Sequence, residues 1–181
     1  MMRAPAAYAD WVQCLEALKA GGQDDEMLRS MEQGSVEWTA GVAEKLTQRI
    51  SDVLEFRLKQ ASQQMNTEFA RAKSPDSDVV RALMNARRRY ALMKRFVSIP
   101  AFPEQVRRTM SEVLHAYVKD TQAALEESAK HDRTGHLRML IKNNSLMGYE
   151  QVETIVEPAP PAFISSPAPV GTNSRRRRVI L

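Results

Sequence analysis

Apolar or small residues recur at Trp38, Val42, Leu46, Ile50, Leu54, Leu58, Ala61, Met65, Phe69 and Ala72, in steps of three and four. That spacing marks one face of a helix. It predicts a single amphipathic helix over Ser35 to Ala72, roughly 55 Å long at 1.5 Å per residue. Gly41 is its one poor helix former, and no proline interrupts it. A stripe of that length has to be covered, either by other helices of the chain or by a second copy in a homodimer.

The flanking pattern supplies the other helices. Tyr8, Trp11, Val12, Leu15 and Leu18 share a face and predict a helix over Pro5 to Ala20, ended by Gly21-Gly22. Asp24 stands where an N-cap would start a short second helix with Leu28 and Met31 buried, and Gly34 ends it. Ser35 then caps the long helix. Ser74-Pro75 breaks the pattern and starts a fourth helix to about Val97. On it Val79, Leu83, Ala86, Tyr90, Met93 and Val97 fall on one side. Ile99-Pro100-Ala101-Phe102-Pro103 leaves the helix. A fifth helix runs to about Lys130, with a stripe of Val106, Met110, Val113, Tyr117, Thr121, Ala124 and Ser128, widened by Leu114, Val118 and Leu125. Asp132 or Thr134 starts a shorter sixth helix holding Leu137, Leu140 and Ile141, and Asn143-Asn144 ends it. No strand-like alternation persists. The fold class is therefore all-α: a helical bundle over residues 1–157 with one long central helix.

From Pro158 the chain changes character. Residues 158–174 are proline-rich and uncharged, which reads as a flexible, disordered linker, and residues 175–181 follow as the peptide RRRRVIL. Charge gives this division weight. Residues 1–157 carry 22 basic and 22 acidic side chains, so the net charge of +4 is Arg175, Arg176, Arg177 and Arg178. Within the bundle the positive charge gathers on the fourth helix. Arg81, Arg88 and Arg95 are spaced by seven on the side away from the apolar stripe, Arg87 and Lys94 repeat that spacing, and no acidic residue occurs from Val79 to Pro103.

Candidate chemistry is sparse. The seven glycines form no phosphate-cradling loop. Cys14 is alone, which excludes an internal disulfide and fits a reducing compartment. Glu112 and His115 stand at the spacing of a bundle di-metal motif, but no second Glu-x-x-His accompanies them. A metal-binding helical enzyme built on that pair is the third-ranked reading, and neither a catalytic site nor a cofactor is expected. The start lacks the apolar core of a secretory signal and no run suits a membrane span, so the cytoplasm is the expected location.

Two binding readings remain. Arg175 to Arg178 with Val179, Ile180 and Leu181 form a charged-then-apolar peptide on a linker, the layout of a tethered docking motif for a protein partner. Alternatively, Arg81, Arg88 and Arg95, with Arg87, Lys94 and the Arg-rich tail, contact nucleic-acid phosphates. The bland counterpart is a solvated face whose arginines pair with acidic residues of neighbouring helices. The leading expectation is a non-catalytic interaction protein, an adaptor or assembly factor, with its C-terminal peptide as the ligand.

Overall fold

A computed structural model of the chain describes residues 3–152. Among them are six α-helices: α1 (Tyr8–Ala20), α2 (Asp24–Glu32), α3 (Ala40–Ala70), α4 (Pro75–Val97), α5 (Glu104–Ser128) and α6 (His136–Asn143). Short 3-10 helices cover Ala129–His131 and Leu146–Gln151. The linker and terminal peptide assigned to residues 158–181 lie outside the described residues. No helix among the described residues is long and apolar enough to cross a membrane.

The long helix is the centre of the bundle. Leu46, Ile50, Val53, Leu54, Leu58, Ala61 and Met65 of α3 are all buried within the single chain, against α1, α4 and α5. The short connection from Arg71 to Ser74 folds α4 back antiparallel onto α3. All six residues assigned to the apolar face of α4 are buried. Where α3, α4 and α5 meet, the core holds hydroxyls rather than carbon. Tyr117 Oη donates to Ser62 Oγ at 3.1 Å, and Ser62 Oγ lies 3.1 Å from Tyr90 Oη. Burial pushes the Tyr90 phenol above its ordinary pKa, which keeps it neutral and able to donate.

The same core ends in an aromatic group. Phe102, in the α4–α5 turn, packs its ring 5.4 Å from Trp11, 6.3 Å from Trp38 and 5.9 Å from Phe96, centroid to centroid. Both indoles are anchored at their polar edge: Trp11 Nε1 donates to the Ser35 carbonyl and Trp38 Nε1 to the Ala101 carbonyl, each at 2.8 Å. Gly34 sits in the same knot, where a Cβ would come within 2.9 Å of the Pro5 carbonyl oxygen and the Trp11 ring.

This knot corrects the expected start of the long helix. Residues 35–39 are not helical; Ser35 donates its N–H to the Pro5 carbonyl instead of capping, and Trp38 reaches across to Ala101. Trp38 fits the helical spacing by coincidence, and tertiary hydrogen bonds decide its conformation. The fifth helix is also rotated from its expected face. Met110, Leu114, Val118, Gln122 and Leu125 are buried, whereas Val113, Ala124 and Ser128 are exposed. Gln122 explains part of the rotation: its Oε1 accepts the Leu146 N–H at 2.8 Å and so holds the last 3-10 helix against α5.

Three helix starts are closed by aspartates acting from inside or just before the helix. Asp10 accepts the Ala7 and Ala6 N–H groups at 3.0 and 3.2 Å, and Asp78 accepts those of Lys73 and Ser74 at 2.9 and 3.0 Å. Asp132 accepts from Leu137 at 2.9 Å and Thr134 at 3.0 Å. These backbone bonds lower each carboxyl's pKa, led by Ala7, Ser74 and Leu137 respectively. A lowered folded-state pKa adds stability above the unfolded value of about 3.9, and that stability is lost as pH falls through the folded-state value. The urea midpoint should therefore drop between pH 5 and pH 2.5. In the D10N/D78N/D132N variant that drop should be shallower, and parallel curves for the two proteins would contradict the assignment.

Candidate functional site

The basic face of α4 was the place to look for a binding site, and the structure divides it. Arg95 is 22% exposed and bound on two sides. Its Nε and Nη2 meet the two Glu32 oxygens at 2.5 and 2.9 Å, and Nη1 meets Asp25 at 3.0 Å. The hydrogen bonds it donates to Glu32 raise its pKa above the ordinary value. Arg81 is exposed and pairs with Asp78 at 2.5 Å, one turn before it. Arg88 and Lys94 are exposed, with no ion pair among the described residues. Arg87 is half-buried: its guanidinium occupies the space a side chain at Gly148 would need, Nη1 approaches Met84 Sδ at 3.4 Å, and Nε has no hydrogen-bond partner. The three-arginine row is thus not one surface. Its last member is clamped beneath the acidic helix α2.

Acidic side chains have the same effect elsewhere on the bundle. Arg89 pairs with Glu68 at 2.9 Å. Arg57 is almost wholly buried and pairs with Asp24, with its guanidinium packed against Gly21. Asp24 therefore does not cap α2 as expected, because its carboxylate is turned to Arg57 and Gln23 holds the cap position. Arg57, Asp24 and Arg89 line a cleft of about 400 Å³ with Gln60, Gln64 and Met93. Asp24 Oδ1 and Arg89 Nη1 are buried there without partners.

The remaining candidates stand apart. Cys14 is half-buried, and burial, then the Asp10 charge, pushes its thiol pKa up, away from a nucleophilic thiolate. Glu112 and His115 are exposed on α5; Glu112 pairs with Arg108 at 3.2 Å and His115 lies 3.9 Å from Glu150. Among the described residues no three His, Cys, Asp or Glu side chains cluster as metal ligands would.

One charged surface escaped the sequence reading. From Ser128 to Tyr149 the only acidic residue is Asp132, against Lys130, Arg133, Arg138 and Lys142. Arg133, Arg138 and Lys142 are all exposed, without an ion pair among the described residues. A running count of charge by helix, rather than a search for regular spacing, would have revealed it.

The described residues define an all-α bundle in which Arg57, Arg89 and Arg95 are tied to acidic residues of neighbouring helices. No family model, curated protein or solved structure matches this chain.

Proposed function

We propose that this protein is a non-catalytic helical interaction protein, an adaptor or assembly factor, that engages a protein partner through the peptide Arg175 to Leu181. One observation carries the reading. Acidic neighbours pair with Arg57, Arg81, Arg89 and Arg95, while the charge excess of the whole chain sits beside Val179, Ile180 and Leu181. Four adjacent cations followed by three aliphatic residues suit a partner with an acidic rim and an apolar groove. A proline-rich linker adds reach, so the peptide is presented at high local concentration to a partner the bundle already touches.

A chain ending at Glu157 should keep its melting temperature within about 2 °C, because the removed residues have little apolar surface to bury. The same chain should lose partner capture in a pull-down from the parent cell. Serine at Val179, Ile180 and Leu181 should reproduce most of that loss. Glutamine at Arg175 to Arg178 should weaken capture mainly at low salt. Undiminished capture by the shortened chain would overturn the proposal.

A further inference from the structure

We propose that the surface built by Arg133, Arg138 and Lys142 binds the phosphodiester backbone of a nucleic acid without reading its sequence. The geometry of the segment concentrates positive charge. Arg138 and Lys142 are one turn apart on α6, about 6 Å along its axis, and Arg133 lies in the loop that enters it. The carboxylate in this segment is engaged by the start of α6. Asp132 accepts the N–H groups of Leu137 and Thr134 and the Thr134 hydroxyl, closing the helix start. The other nearby acids are also engaged: Glu127 holds Lys130 at 2.5 Å, and Asp76 holds His136 Nε2 at 2.6 Å. Three cations are left facing water. Lys45 and Lys59 stand beside acids of their own helix, Lys45 next to Glu44 and Lys59 four residues after Glu55. Arg88 and Lys94 of α4, without an ion pair among the described residues, are six positions apart.

The composition of the surface selects the ligand. Met139 is the exposed large apolar side chain on α6, 50% accessible, and one methionine gives too little apolar area to seat a helix in a bilayer. Nor does it offer the buried apolar anchor that protein interfaces are built around. Exposed guanidinium and ammonium groups, with Asn143 exposed next to Lys142, suit a polyanion whose oxygens lie outermost. Binding there is driven by release of condensed counterions and falls steeply with salt. The helix is held rigidly enough to present these groups: Ile141 is buried, and the 3-10 helix after it packs Tyr149 against Tyr90 at 6.4 Å between ring centroids.

Fluorescence anisotropy of a labelled random-sequence 20-mer duplex, titrated with the full chain across a series of KCl concentrations, tests this. Each phosphate contact adds about 0.9 to the slope of log affinity against log salt. The R133Q/R138Q/K142Q variant should lower the magnitude of that slope by about 2.7 and weaken binding at least about tenfold at low salt. Its melting curve should match the parent. A control, K45Q/K59Q/K119Q, removes the same net charge elsewhere and should leave the slope unchanged. Glutamine at Arg175 to Arg178 separates the tail: a duplex slope that vanishes with the tail and survives loss of the α6 cations overturns the proposal. Equal losses in the α6 variant and the control overturn it as well, as does stronger binding to poly-glutamate or to phosphatidylserine vesicles than to the duplex.

Discussion

Replacing Phe102 by Ala lowers the unfolding free energy by about 3–5 kcal/mol, the range for a buried phenylalanine truncated to its Cβ. Phe102 is 2% exposed and its ring meets Trp11, Trp38 and Phe96 at once. The cavity left behind cannot close easily, because two of its walls are indoles whose N–H groups are fixed on the Ser35 and Ala101 carbonyls. Collapse would break those bonds, and an unpaired buried N–H costs about 1–3 kcal/mol. Phe102→Leu fills most of the space and should lose clearly less than the alanine variant. Urea unfolding monitored by tryptophan fluorescence reads both. A loss below about 1 kcal/mol for the alanine variant would mean that the cluster is not a packed core.

Arg57→Met is expected to cost about 3 kcal/mol, in the range for removing one partner of a buried ion pair. The Arg57 and Asp24 side chains are 10% and 18% exposed, so little solvent screens them. Methionine keeps the stem's packing but strands the Asp24 carboxylate, one of whose oxygens is already without a partner. Replacing both residues, Arg57→Met with Asp24→Leu, removes the charge and its desolvation together and should restore most of the loss. The coupling read from this double-mutant cycle is the test. Additive single and double losses would show that the pair does not act as a unit.

These two sites differ in how far the sequence could reveal them. The fourth helix was readable from end to end, because Pro75 fixes its start and its buried positions follow an unbroken three-and-four spacing. Trp38 misled for the opposite reason: it keeps the spacing of α3 while lying outside it, and the force that placed it, a hydrogen bond to Ala101, spans 63 positions. The same applies to Arg95. Its heptad spacing with Arg81 and Arg88 suggested one row, but Asp25 and Glu32 reach it from α2, which no local pattern announces. Asp24 was read as a cap from its place before a helix. A buried arginine 33 positions away was the stronger partner. The cations of α6 were hidden by irregular spacing across a loop and a helix, and they became a surface only once their exposure and the engagement of Asp132 were known.

The knot around Phe102 also bears on how the chain is made. Trp11 and Phe102 are separated by about 90 residues, and ribosomes add about 5–20 residues per second. For roughly 5–20 seconds after Trp11 emerges, its ring has no Phe102 to rest against. During that interval α1 and α2 hold fully apolar faces, Leu15, Leu18, Leu28 and Met31, whose shelter is completed by helices still to be translated. The nascent α1–α2 segment is thus exposed to capture by any factor that recognises unburied aliphatic and aromatic side chains. A translational pause placed between Trp11 and Phe102 would lengthen that exposure, and one placed well after Phe102 would not.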